Sequence, residues 1–351
     1  MSTTLTVALA SLGGIVLAGV VAHGAWQARR AGPKRASPSV REEPSASAPR
    51  DSDASALAED DVPSDDAAAP PRRISKRLPL QVDALIDACV PITLDAPIGG
   101  DVVVAHLPSK RHVGSKLVIV EGLDSETGAW EALAAGRRYG ELQAGVQLAS
   151  RTGALNEIEY SEFVQRMQAL AEAIGAGIDP PDMLDVMARG RELDAFASQH
   201  DAQLAVHLHA RGAAWSVGYI QQHARRHGFV PGVVPGRLVY PSTEEGAPPV
   251  LTLTYDSQAA LADEPDHASV RDVTLAFDVP QTDAGVEPFK AWQAAAQALA
   301  VGMDAAIVDD DGRPLSSAGF EAIGAELGAL YTALEARGLA AGTPSARRLF
   351  S

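Results

Sequence analysis

Leu5 to Ala22 is an apolar run without a charged side chain, and Gly24, Ala25 and Trp26 extend it. Counted from Leu5 to Trp26, a helix over this run would be about 33 Å long, enough to cross a hydrocarbon core of about 30 Å. Arg29, Arg30, Lys34 and Arg35 follow at once, and no Lys or Arg precedes the run. Basic residues stay on the cytoplasmic side, so the N-terminus is expected to face out and everything after Ala25 to face in. A cleaved export signal would need a basic stretch ahead of the apolar core, and there is none. Residues 1–27 therefore read as a transmembrane anchor, with the lipid bilayer met through residues 5–26.

A linker is expected over residues 28–77. Ala36 to Ala69 is rich in Ser, Ala, Pro and Asp and nearly devoid of large apolar side chains. Such a segment cannot bury enough surface to offset its chain entropy. A flexible coil of that length would span roughly 30–35 Å on average. Arg72, Arg73, Lys76 and Arg77 close it. The chain of 351 residues carries a formal net charge of −16. That balance argues against nucleic acid as a partner, because phosphate binding needs a basic surface. Cys89 is the single cysteine. No intrachain disulfide can form, which suits a reducing compartment, and the apolar neighbours Ala88 and Val90 make Cys89 a small buried hydrophobe.

The remainder reads as two stretches sharing one order of elements, residues 78–200 and 201–340, with 341–351 as a tail. Each opens on a short strand-like run, Ala88 to Leu94 and Gln203 to Leu208. Each then has a strand with period-2 alternation: Leu142 to Leu148, and Val273 to Val279. In the second, Val273, Leu275, Phe277 and Val279 face one side, and Thr274, Ala276 and Asp278 the other. Gln-Ala-Leu-Ala follows in each, at residues 168–171 and 297–300, inside an Ala-rich helix. Final helices run over 181–198 and 316–337, with Gly338 as a stop signal. Trp215 to His227 reads as a helix with Trp215, Tyr219, Ile220 and Ala224 inward. Arg237 to Tyr240, Val250 to Tyr255 and Ile307-Val308 read as strands, with Leu251, Leu253 and Tyr255 on one face. The fold class expected is α+β: antiparallel-rich split-βαβ sheets with helices on one face, in two tandem copies after the anchor. The bare face of such a sheet is where a peptide can dock.

The second stretch resembles the C-terminal domain of the ZipA family, bacterial membrane anchors for the tubulin-like division protein FtsZ. The resemblance rests on Val273 to Pro280, the Pro288-Phe289-Lys290 helix start, Ala296-Gln297 and the Ile307-Val308-Asp309-Asp310 strand and turn. Gly212, Gln221-Gln222 within the Trp215 to His227 helix, and Gly228-Phe229 also fit. The resemblance implies a single-pass protein of the bacterial inner membrane, its N-terminus periplasmic and its domains cytoplasmic, that binds the FtsZ C-terminal peptide. Carried over by position, the groove would be lined by Ala202, Val234, Tyr255, Ser257, Thr274 and Ala276. Ala276 stands where the family often has an aromatic residue, and aromatic anchors dominate such interfaces. The first copy places the polar pattern Gln143, Gly145 and Gln147 on its bare face, which suits a degenerate copy with a packing role. The alternative is a membrane-anchored scaffold whose two domains pack together and bind another envelope or division partner.

Enzyme chemistry finds little purchase. His207 and His209 share a strand face, and His223 and His227 are four apart on a helix, but the acidic partner of a metalloprotease helix is missing. Asp309-Asp310-Asp311-Gly312 lacks the alternating ligands of a calcium loop and reads as a turn. There is no nucleophile elbow, phosphate loop or dinucleotide fingerprint. No catalytic residue, metal or cofactor is expected. RNA recognition on the sheet would need stacking aromatics where Thr274 and Ala276 stand.

Overall fold

The computed structural model describes residues 81–262 and 268–351. The expected anchor, the whole of the expected linker and with it the basic cluster Arg72 to Arg77 lie outside the described residues. Among those described, no helix is long and apolar enough to cross a membrane.

The first unit is built from β1 (Asp87–Thr93), α1 (Gly100–His106), β2 (Lys116–Asp124), β3 (Arg138–Gln147), α2 (Glu157–Ile174), β4 (Gly177–Ile178) and α3 (Met183–His200). Its main strands lie in the order β2–β3–β1–β4, every neighbour antiparallel. The second unit contains β5 (Gln203–Ala210), α4 (Val217–Arg226), β6 (Val230–Pro231), β7 (Arg237–Tyr240), β8 (Leu251–Thr254), β9 (Asp272–Asp278), α5 (Pro288–Met303), β10 (Ala305–Val308) and α6 (Ser317–Ala336). Its order is β6–β7–β8–β9–β5–β10, again antiparallel throughout. The stretch β8–β9–β5–β10 follows the same path as β2–β3–β1–β4. In both, a helix leaves the second strand of the path and returns to the far side of the third, which is a split βαβ. The fold is mixed α+β with antiparallel sheets.

Local chemistry explains the elements. Asn156 and Glu159 form a reciprocal capping box at the start of α2, and Gly175 ends that helix in the left-handed region. Asp182, Ser216 and Ser316 cap α3, α4 and α6 with their side-chain oxygens. The alternation on β9 sends Val273, Leu275, Phe277 and Val279 into the core, all essentially inaccessible. They meet Trp292 of α5, whose indole nitrogen donates to the Leu275 carbonyl at 3.0 Å. Burying such side chains stabilises by about 1.5–3 kcal/mol each relative to exposure. The helix α4 starts at Val217 rather than Trp215, which bridges to Val270 instead. Trp215, Ile220 and Ala224 are inward as expected, but Tyr219 lies half-exposed and Val217 takes the buried place. Tyr219 packs instead on His223, ring centroids 4.4 Å apart.

The described residues form two apolar cores, and the chain after α6 does not belong to the nearer one. Leu334, Leu339, Ala341, Ala346, Leu349 and Phe350 are buried in the core of the first unit. A last helix, α7 (Pro344–Leu349), is capped by Thr343 and seated against that unit. The expected boundary at residue 340 and the expected tail 341–351 thus fall within one packed segment. Arg348 is buried with Asp87 of β1, donating to both carboxylate oxygens, one contact at 3.0 Å.

Candidate functional site: the helix-free face of the second sheet

Strand pairing fixes which side chains share the face opposite α5. Leu238, Leu251, Leu253, Val206, Leu208, Val273 and Leu275 point to the helices and are buried. The alternate positions form two lanes across the strands. One runs Val230, Val239, Thr252, Ala276, Ala205, each directly opposite the next. Four strand spacings make it about 19 Å long. Its side chains are small or β-branched, and it ends at an exposed corner where Val230 and the loop residues Val233 and Val234 reach solvent. The second lane runs Arg237, Thr254, Thr274, His207, Val308 and is polar apart from its last member.

Arg237, Thr274 and His207 of the polar lane have hydrogen-bond partners in or beside it. The Thr274 hydroxyl is 3.1 Å from His207 Nδ1, and His207 Nε2 is 3.0 Å from Asp310 Oδ1. His209 Nε2 sits 3.2 Å from Asp272 Oδ1. Arg237 donates to the Thr252 hydroxyl at 3.3 Å. His207 and His209 share this face, whereas His223 packs on Tyr219 in the helix layer. The four histidines therefore do not converge. Burial holds the His223 ring below the usual imidazole range, with the Arg226 and His227 charges adding to the effect. Among the described residues, no group of three or more His, Cys, Asp or Glu side chains could hold a metal ion. The Asp309 carboxylate accepts from the Asp311 and Arg313 amides at 3.0 and 2.8 Å, closing the turn over Gly312.

The structure distributes the six residues expected to line the groove over three places. Thr274 and Ala276 lie on the helix-free face, in adjacent lanes. Tyr255 and Ala202 are buried with the core. Tyr255 continues the alternation of Leu251 and Leu253, so its ring turns toward the helices, and its hydroxyl accepts from Gln221 at 3.2 Å. Ala202 falls in step with Leu204, Val206 and Leu208 for the same reason. Val234 and Ser257 are exposed at one corner, where the Tyr255 amide donates to the Gly236 carbonyl at 2.9 Å. Tyr255 cannot join a surface with Ala276, because the sheet lies between them. Val239, Thr252 and Ala205 take the places beside Ala276. The parity of Leu251 and Leu253 already implies Thr252; Val239 and Ala205 need the register.

The first unit's face is different. Gln143 donates to Glu121, Gln147 donates to the Ala149 and Arg348 carbonyls at 2.8 and 2.7 Å, and Gly145 lies under Val82. Its polar residues are used by the chain itself.

Residues 257–326 match the family described as ZipA, C-terminal FtsZ-binding domain. Over that stretch the chain is ZipA-like. No curated protein matches the chain. The matched span covers β9, α5, β10 and the first half of α6, and so contains Thr274 and Ala276. The family's description names a domain that binds FtsZ. The sheet to which the matched span contributes extends beyond it, to β5, β7 and β8.

Proposed function

We propose that this is a single-span inner-membrane protein that receives the C-terminal tail of FtsZ on its second unit and tethers division filaments to the membrane. The observation that carries the reading is a coincidence of place. The family match falls on the strand that contributes Ala276 to a sheet face without helices. The tail lies along the lane Val230, Val239, Thr252, Ala276, Ala205, whose side chains are small or β-branched. No aromatic anchor stands in that lane, so each contact is weak. Many tails displayed along one filament sum such contacts, and the linker supplies reach. Residues 5–26 form the anchor, the N-terminus is periplasmic and both units are cytoplasmic. The first unit is a degenerate copy of the second; its support is the shared strand path, and its role is packing.

Titration of the full chain with a synthetic FtsZ-tail peptide tests the reading. Saturable binding in the micromolar range is expected, lost about tenfold or more in Ala276→Asp at an unchanged near-ultraviolet spectrum. Equal binding by the variant would move the site elsewhere. Reporter fusions test the topology; a C-terminus facing the periplasm would defeat it. A second reading, a scaffold for another envelope or division partner, draws on the ion pairs that join the units, Arg151 with Asp201 and Asp278 and Arg347 with Glu244. Absence of tail binding at high micromolar concentration would favour it.

A further inference from the structure

We infer that the face of the first unit around Asp87 and Gln147 is a peptide-binding site, and that the segment following α6, residues 339–351, is its ligand in cis. This goes beyond the FtsZ reading and stands whether or not the second unit binds FtsZ.

The contacts have the form of recognition rather than of general packing. Asp87 lies on β1 at the same parity as Cys89 and Pro91, opposite the buried row Ile86, Ala88, Val90 and Ile92, and pairs with Gln147 of β3. Both therefore belong to the face away from the helices. Arg348 enters this corner as a charged anchor, giving both terminal nitrogens to the Asp87 carboxylate and one also to the Gln81 carbonyl at 3.0 Å. Two-point pairing of this kind selects arginine over lysine. The Gln147 side chain reads the backbone of the segment at the Arg348 carbonyl, 2.7 Å away. The Arg151 amide donates to the Ser351 carbonyl at 3.3 Å, and the Ser345 hydroxyl donates to Asp83. Leu349 and Phe350 are fully buried beside them. One charged anchor, backbone reading and two buried apolar side chains are what a short linear motif offers a receptor.

The segment owes its order to the site. A helix as short as α7 has no stability of its own in water. The join to α6 passes through Gly338 and Gly342, both in the left-handed region, so the segment turns away from its parent helix and crosses to the other unit. The second sheet offers a related corner. Asp278 on β9, paired with Gln203 on β5, receives Arg151. On the shared strand path this is the place of Gln147 and Asp87. The two corners each hold an arginine brought from elsewhere in the chain, and only the first also holds the residues around it. The ligand class is a segment with Arg followed by two large apolar residues.

The test uses the full chain with a specific protease site inserted after Gly338. After cleavage, segment 339–351 is expected to stay bound through gel filtration. It should then exchange with a labelled synthetic peptide of the same sequence, saturably, while the uncleaved chain takes up little label. The same peptide carrying Arg348→Ala should bind about tenfold more weakly or worse. Near-ultraviolet circular dichroism follows the fold throughout. Loss of that signal on cleavage would show that the first unit does not hold its fold without the covalent join to the segment, and would overturn the inference. So would equal binding of the Arg348→Ala peptide, or a released segment that does not rebind. A concentration-dependent dimer of the uncleaved chain that exchanges the segment between copies would overturn the assignment in cis.

Discussion

Arg151, in the loop after β3, reaches across to Asp278 at the end of β9, Nη2 to Oδ2 at 2.7 Å, and holds Asp201 through the same guanidinium. This is a joint between the two units. Burial pushes the Asp278 carboxyl above the usual range, and Arg151 is the main pull in the other direction.

Replacing Arg151 by Ala removes that pull, so the folded-state pKa of Asp278 should rise further. A raised carboxyl binds more protons folded than unfolded, and the variant therefore loses stability as pH climbs above the unfolded value near 4. The pair is partly solvated, so the expected cost at pH 7 is about 1 kcal/mol, shrinking toward zero near pH 4. Urea denaturation of both proteins across that range measures it.

Asp87 and Arg348 form a more buried pair, and burial likewise raises the Asp87 carboxyl against the pull of Arg348. Removing one partner leaves the other charge in a dry corner while Leu349 and Phe350 still exclude water. Each single alanine substitution should cost about 3 kcal/mol or more, and the double substitution clearly less than the sum. A double-mutant cycle by chemical denaturation gives the coupling directly.

Gly342 is where the segment after α6 changes direction. Its φ is +79°, and an added Cβ would lie 2.4 Å from the Asp283 amide nitrogen and 2.5 Å from its Cα. Backbone on both sides cannot yield. Gly342→Ala is expected to cost at least about 2 kcal/mol and to raise the rate of tryptic cleavage at Arg347 and Arg348, which α7 otherwise protects.

Trp292 is fully buried among Phe277, Phe289 and Phe320, with centroids 6.1, 5.7 and 5.6 Å away. Trp292→Ala should destabilise the second unit by about 3–5 kcal/mol, and Trp292→Phe by roughly 1–2 kcal/mol through the lost hydrogen bond to Leu275 and the smaller ring. Thermal unfolding followed by calorimetry distinguishes the two.

Some of this is plain in the residues, and the rest is hidden for physical reasons. Period-2 alternation on β9 is a one-residue rule, so the pattern of Val273 to Val279 by itself assigns each side chain to a face. The Ala-rich helices carrying Gln-Ala-Leu-Ala fall within α2 and α5 as expected. The strand β2 is hard to recognise because Lys116 and Glu121 are buried within it. Lys116 is tied to the Ser150 and Thr152 hydroxyls and the Gly153 carbonyl, and Glu121 accepts from Gln143. Those satisfactions depend on distant residues. The groove is harder still, since position-by-position transfer does not preserve parity. Tyr255 reads as an anchor until its alternation with Leu251 and Leu253 turns it to the core. The destination of residues 339–350 is illegible in the sequence, because Arg348 and Asp87 stand 261 residues apart along the chain.

On the proposed function, a short FtsZ segment lies on the lane through Ala276. Amide chemical-shift mapping of the isotopically labelled protein during titration with the FtsZ-tail peptide tests it most directly. The expected result is saturable shifts concentrated at Val239, Thr252, Ala276 and Ala205, with α4 and α5 and the first unit little changed. Shifts centred on the helix layer or on the first unit, or none at saturating peptide, would contradict it.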